Sequence, residues 1–380
     1  MRNRRQDDPP KGEIPERDRF ALQDQSGTGA FSDILPEGSI IADNYRVISL
    51  LGSGGMCHVY KCQDLSLNRF VALKMLRSEI GANQNAVLRF QREGQAVAQI
   101  NHPNIVRVHS LVTTSSGQPC MVMEIVAGTP LSELVATRGG LQLFRVFKIV
   151  NQICSALTAA HDLGIVHRDL KPANIMVINP SRADESVKIL DFGIAKVASE
   201  NNVRATQTGE IFGSPAYMSP EQSLGKSVDA RSDQYSLGCV IFELLTGTTP
   251  FDTSGSLQAM MAHVQEQAPT LKKASRKDFP AHVEKSVARM LAKEPEDRFA
   301  DVEEARAAFL GEKEFSAPSR AKTSSKRNKS KAPFEISTRS WIVVGISAAS
   351  LVIGFISFGL LKSPPAEKPR LASKASLVLL

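Results

Sequence analysis

Alternating and four-three spacings of apolar residues divide this chain into a strand-rich stretch followed by a helical one. Val47 to Leu51 read as a strand, and Phe70-Val71-Ala72-Leu73-Lys74-Met75-Leu76 as a second one. Period two puts Ala72 and Lys74 on one face of the second strand, with Val71, Leu73 and Met75 on the other. Ala86, Phe90, Glu93, Val97 and Ile100 recur at spacings of four and three, which marks one face of a helix. Glu93 then lies inside an apolar stripe, where a carboxylate is costly to bury unless it is paired. Lys74 is the cation expected to pair with it. Met121-Val122-Met123-Glu124-Ile125-Val126 reads as a further strand, and 143–163 and 232–245 as helices, the latter opening at Asp233.

The two ends follow other patterns. Residues 1–44 mix Arg, Asp, Glu, Pro, Gly and Ser with little periodicity, so disorder is expected there. They hold no uninterrupted apolar run of the secretory kind. Residues 341–361 carry no charge and are overwhelmingly apolar. As a helix they would span roughly 31 Å at about 1.5 Å per residue, against a bilayer core of about 30 Å. A single transmembrane helix is therefore expected, followed by a short tail over 362–380. Gly345 and Ala349, and Ser350 and Gly354, are four apart, so each pair of small residues shares a helix face and suits a homodimer of spans.

Charge adds an orientation. The formal net charge is +7, and the linker over 311–340 holds Arg320, Lys322, Lys326, Arg327, Lys329, Lys331 and Arg339. Such a run could bind nucleic acid. Immediately before an apolar span it fits anionic lipid headgroups better, at about 1 kcal/mol per residue near the surface. The excess of cations on this side predicts that 1–340 face the cytoplasm. The five cysteines (57, 62, 120, 154 and 239) are scattered, with no C-x-x-C pair, which fits a reduced compartment and no zinc site.

The chemistry is carried by His167-Arg168-Asp169-Leu170-Lys171-Pro172-Ala173-Asn174, with Asp191-Phe192-Gly193 downstream. Asp169 can accept the proton of a hydroxyl, while Asn174 and Asp191 can hold magnesium against phosphates. Upstream, the loop Leu51-Gly52-Ser53-Gly54-Gly55-Met56-Cys57-His58-Val59 has glycines that let backbone close over a triphosphate. These motifs together resemble the protein-kinase family.

The resemblance covers residues 45–310 and implies an α+β bilobal protein-kinase fold, with a strand-rich small lobe and a helical large lobe. It implies Mg-ATP as the phosphoryl donor, Lys74 on the α- and β-phosphates, and an adenine pocket edged by Ala72 and by the backbone of Glu124 and Val126. Asp169 and Lys171 become the catalytic pair, with Glu93 supporting Lys74. The loop departs from the family pattern at Cys57, where a third glycine is usual; cysteine is small, so the loop should still close over ATP, and a tolerated substitution is expected rather than redox control through oxidation of the thiol. Ser219-Pro220-Glu221 stands for the family's A-P-E, and its glutamate is expected to pair with Arg298. Thr206 and Thr208, between the landmarks, are the expected phosphorylation sites, with Arg168 placed to bind the added charge.

Lys171 and Ser214 resemble the serine/threonine class, and the run over 213–222 the bacterial Hanks-type members. The expected protein is a membrane-anchored serine/threonine protein kinase acting on protein substrates. Two alternatives belong to other classes. A pseudokinase scaffold is opposed by the presence of Lys74, Glu93, Asp169, Asn174 and Asp191. A small-molecule phosphotransferase is opposed by the loop ending in Ser219-Pro220-Glu221. The tail over 362–380 is expected to be too short for a folded sensor domain.

Overall fold

The computed structural model describes residues 34–81, 83–192, 214–251 and 255–312. The strands are β1 (Ile40–Ile41), β2 (Tyr45–Ser53), β3 (Cys57–Asp64), β4 (Arg69–Leu76), β5 (Val108–Thr113), β6 (Pro119–Glu124), β7 (Thr129–Pro130), β8 (Ile175–Ile178) and β9 (Ser186–Ile189). The helices are α1 (Ser78–Gly81), α2 (Gln84–Ala98), α3 (Leu131–Arg138), α4 (Leu143–His161), α5 (Pro220–Ser223), α6 (Ala230–Thr246), α7 (Ser256–Gln265), α8 (Leu271–Ser275), α9 (Ala281–Met290) and α10 (Val302–Leu310). Strands precede helices along the chain, and the two groups form two lobes.

The small lobe is a six-stranded sheet in the order β1-β2-β3-β4-β6-β5, with antiparallel pairs throughout. The alternation read in β4 holds. Val71, Leu73 and Met75 join one apolar cluster with Tyr45, Val47 and Val122. Ala72 and Leu76 join the other, with Phe90 and Val97 of α2. Helix α2 buries Phe90 and Val97 of the expected face, with Ile100 just past its end and Gly94 beside them. A Cβ on Gly94 would lie 2.8 Å from both Leu111 and Met121, so the bare glycine is what lets the helix settle on β5 and β6. Glu93 is thereby turned to a half-buried position beside that contact.

The large lobe is built on α4 and α6. Val146, Ile149, Val150, Ile153, Ala156 and Leu157 of α4 are fully buried, which explains why α4 is the one helix among the described residues long and apolar enough to cross a membrane. Its apolar faces are spent on the lobe core. Helix α6 starts earlier than expected, capped by Asp229, whose side chain accepts from the Arg231 amide. Asp233 is not its cap, and its side chain is used elsewhere. The three-stranded sheet β7-β8-β9 closes the side of this lobe that faces the small one. The segments 1–33, 311–340 beyond Glu312, 341–361 and 362–380, with Thr206 and Thr208, lie outside the described residues.

Candidate active site

A cleft of about 640 Å³ runs between the lobes. Leu51, Gly52, Val59 and Ala72 form its roof, the connector from Met123 to Ala127 its back, and Met176 and Leu190 its floor. Of the residues expected to hold nucleotide, Leu51, Gly52, Val59, Ala72, Glu124 and Val126 line it. Ser53, Gly54, Gly55, Met56 and His58 do not form its wall. They belong to the loop tip and the start of β3, where Gly54 N donates to Cys57 O at 2.9 Å. Cys57 faces the apolar core below the sheet, 7% exposed. Burial pushes its thiol up to about 11, so it stays protonated.

Asp191 ends the cleft. Its Oδ1 lies 2.8 Å from Lys74 Nζ. Lys74 pairs here with Asp191, where a pair with Glu93 was expected. Burial by itself lowers the pKa of Lys74, yet Asp191, with a smaller contribution from Asp169, holds it above the ordinary lysine value. The ammonium is thus fully charged where phosphates would lie.

The catalytic loop is held by contacts from three directions. Asp233 is wholly buried and accepts from the amides of His167 (2.7 Å) and Arg168 (2.8 Å) and from His161 Nε2 (2.8 Å). His167 Nε2 meets Leu190 O at 3.0 Å, and its Nδ1 accepts from the Asp169 amide at 3.2 Å. Nε2 must then carry the proton, a neutral tautomer, and burial lowers the ring's pKa to keep it neutral. Gln222 Nε2 donates to Arg168 O at 2.8 Å. These bonds hold Arg168 at φ +62°, and Asp191 sits at φ +45°, a conformation that non-glycine residues adopt only when their surroundings fix it.

Asp169 is the outcome of this bracing. Its Oδ2 lies 3.0 Å from Lys171 Nζ and 3.3 Å from Asn174 Nδ2, and its carbonyl accepts from Asn174 Nδ2 at 2.9 Å. Lys171 also donates to Ser214 Oγ at 2.7 Å, joining the carboxylate to the loop that ends in Ser219-Pro220-Glu221. The donor set fits magnesium. With its NH2 turned to Asp169, Asn174 keeps its amide oxygen for a cation, and Asp191 has a second carboxylate oxygen beyond the one on Lys74. Magnesium prefers such hard oxygens completed by phosphate and water.

Glu221 and Arg298 pair as expected, with Arg298 Nη1 2.8 Å and Nη2 2.9 Å from the two carboxylate oxygens. Arg298 is 2% exposed and also donates to the carbonyls of Arg231, Ala292 and Lys293, which satisfies the buried guanidinium. Burial would raise the pKa of Glu221, but its bonds to Arg298 and Ser232 hold it below the usual carboxylate value. Ser219 caps α5 in a reciprocal box with Gln222. The residues that sequence reasoning missed are Asp233, Gln222 and Lys188. Lys188 reaches Glu124 Oε1 at 2.6 Å and ties β9 to the connector. Nothing in the local sequence pairs them, because each acts on residues 54 to 72 positions away.

Comparison with known proteins agrees with this geometry. Residues 45–310 match the model of the protein kinase domain. The serine/threonine-protein kinase PknB of Mycobacterium tuberculosis is 41% identical over 272 residues, covering 71% of this chain and 43% of that protein. Pkn3 of Myxococcus xanthus, also a serine/threonine-protein kinase, is 40% identical over 270 residues, covering 70% and 49%. The chain thus spans less than half the length of these relatives. The crystal structure of the Mycobacterium tuberculosis PknI kinase domain superimposes with a TM-score of 0.59 at 30% identity, covering 74% of this chain and 100% of that one. The chain belongs to the protein kinase family.

Proposed function

We propose that this kinase transfers the γ-phosphoryl group of ATP to serine and threonine hydroxyls of proteins, its own Thr206 and Thr208 among them. The observation that carries the reading is the Asp169–Lys171–Ser214 chain together with a charged Lys74 beside Asp191, which lines the cleft. Adenine would lie against the connector between Val59, Ala72 and Met176, with its edge on the backbone of Glu124 and Val126. Asp169 accepts the proton of the attacking hydroxyl. Lys171 offers a positive charge to the phosphoryl oxygens as they gain charge, and Lys74 holds the phosphates that stay behind. Magnesium, when bound by Asn174 and Asp191, neutralises the phosphates.

Arg168 would bind a phosphate on Thr206 or Thr208 and order that loop. The uncharged stretch 341–361 and the cations before it support a single-pass membrane anchor, with the kinase domain on the cytoplasmic side and the linker on anionic lipid. A scaffold without activity is disfavoured by the complete set of reacting groups. The test is phosphate transfer to a general acceptor protein. Asp169→Asn and Lys74→Met should each abolish it with unchanged thermal unfolding. Near-normal turnover in both variants would sink the proposal.

A further inference from the structure

The end of the large lobe from which the chain leaves carries more charge than its own packing uses. Helix α10 is stopped by Gly311 at φ +76°, and a Cβ there would lie 3.2 Å from His282 Nε2. A bare glycine thus lets the departing chain pass close over the start of α9. His282 stacks on Phe147 of α4 with ring centres 6.3 Å apart, and Phe147 meets Phe309 of α10 edge-on at 5.2 Å. Two residues after His282, Glu284 accepts from the amides of Leu271 (3.0 Å) and Lys272 (2.9 Å), which fixes α8 against α9. The start of α4, helix α8, the start of α9 and the exit of the chain therefore share one end of the lobe.

Two kinds of side chain stand out here. Lys272, Lys273, Arg276 and Lys277 are all exposed, and Asp278 is the only acid among 272–278. Asp278 is taken by Lys272 at 2.7 Å and Glu284 by the two amides, so Lys273, Arg276 and Lys277 have no ion-pair partner among the described residues. Lys285, three residues from His282 and on the same face of α9, is exposed as well. The other acids of this end are committed, Glu312 to Arg306 and Glu185 to Arg145. On α4, Phe144 lies three residues from Phe147 and is 70% exposed, with Lys148 Nζ 4.8 Å from its ring centre. A lone exposed phenylalanine is ordinary. One that shares its end of the lobe with unpaired cations has the composition of a surface that lies on lipid, cations at the headgroups and ring among the acyl chains.

We infer that this end of the large lobe is itself a lipid-binding surface, which seats the kinase domain on anionic headgroups through Lys273, Arg276 and Lys277 with Phe144 inserted. Two observations favour a bilayer over a soluble polyanion. The chain that leaves here carries the cations of 320–339 and then the uncharged run 341–361. Phe144 gains from acyl chains, whereas a phosphate backbone offers its ring nothing. A domain tethered to the same membrane meets headgroups at high effective concentration, so individually weak contacts suffice. The inference rests on the membrane-anchor reading.

The experiment places the full chain in phosphatidylcholine vesicles with or without phosphatidylserine, using brominated phosphatidylcholine as a fluorescence quencher. The native cysteines are buried, so a cysteine added at the exposed Ala274, between the cations, takes a thiol-reactive dye. Leu67→Cys, in the turn between β3 and β4 and 63% exposed, is the control site. With phosphatidylserine, labelled Ala274→Cys should be quenched about threefold or more above labelled Leu67→Cys. The difference should vanish without phosphatidylserine, and in about 1 M salt, where the Debye length falls to about 3 Å. Lys273→Glu, Arg276→Glu and Lys277→Glu together should abolish it, with thermal unfolding and transfer to a soluble acceptor unchanged. Phe144→Ser should weaken it. Equal quenching at the two sites, or quenching that survives charge reversal, overturns the inference, and a chain still held in the vesicles after an alkaline wash leaves the anchor reading standing. A chain released by that wash overturns both. A dye at 274 that responds to added DNA and not to phosphatidylserine gives the surface to a nucleic acid and overturns the lipid assignment. Quenching untouched by Phe144→Ser overturns the part assigned to that ring.

Discussion

In the proposed reaction Asp169 takes the hydroxyl proton, but residues that place its loop lie elsewhere in the chain. Asp233 fixes two successive amides of that loop, at His167 and at Arg168, which has a positive φ. Asp233→Asn keeps the size of the side chain and turns at most one oxygen to the two amides. Turnover should fall about 100-fold, the effect of a small misplacement at a reacting group, while KM for ATP stays near its original value. A proportional change in both constants would show Asp233 to be structural only. Asp169, Lys171, Asn174 and Asp191 are legible because their spelling is contiguous. Asp233 is visible as an acid within an apolar helix, yet its partners His161, His167 and Arg168 lie 65 to 72 positions away and no spacing rule reaches that far.

A second buried group governs acid stability. His263 Nδ1 meets Tyr235 OH at 2.9 Å, and its ring lies 4.8 Å from that of Phe251, centre to centre. Burial, with the nearby Lys293, lowers its pKa to about 4. The unfolded chain takes up the proton near pH 6.5, so the stability that neutral His263 represents is lost as pH falls from 6.5 toward 4. At most roughly 3 kcal/mol is involved, from about 1.4 kcal/mol per pH unit. Thermal unfolding of wild type should therefore shift downward over this window. His263→Asn should show a shallower dependence, and identical slopes would remove His263 as the cause.

At the scale of elements, the Glu221–Arg298 pair joins α5 to the turn before α10 through a guanidinium with 0% side-chain exposure. Arg298→Ala leaves the Glu221 carboxylate buried without its partner, and breaking such a pair costs about 3–5 kcal/mol. The variant should unfold at markedly lower denaturant with an unchanged slope. Glu221→Gln combined with Arg298→Met should recover part of the loss, since neither partner is then left charged. This contact was legible from the two motifs that carry it. The part played by Gly94 in α2 was not, for a physical reason. A count of apolar residues finds the buried Phe90, Val97 and Ile100 but skips Gly94, although the missing side chain is what allows the helix to approach Leu111 and Met121. Sequence pattern detects side chains that fill space; it is blind to a position selected for leaving space.

At the scale of the whole molecule, the proposed span over 341–361 is a matter of composition, legible because an uncharged run of that length has few other uses. Its consequence for activity follows from concentration. Thr206 and Thr208 can reach the active site of a second copy only when two kinase domains meet, and a shared membrane with paired spans raises the frequency of that meeting. Small residues at 345, 349, 350 and 354 allow close backbone approach, where packing rather than hydrophobicity drives helix association in lipid. Gly345→Leu with Gly354→Leu adds bulk on these faces without charge, so insertion should be unaffected. Self-association in vesicles should drop, and phosphorylation of Thr206 and Thr208 should slow at a fixed number of copies per vesicle. Activity of an already phosphorylated enzyme should not change, because the reacting groups are untouched. If association and loop phosphorylation both keep their wild-type values, the span is a tether and the two domains meet by diffusion alone.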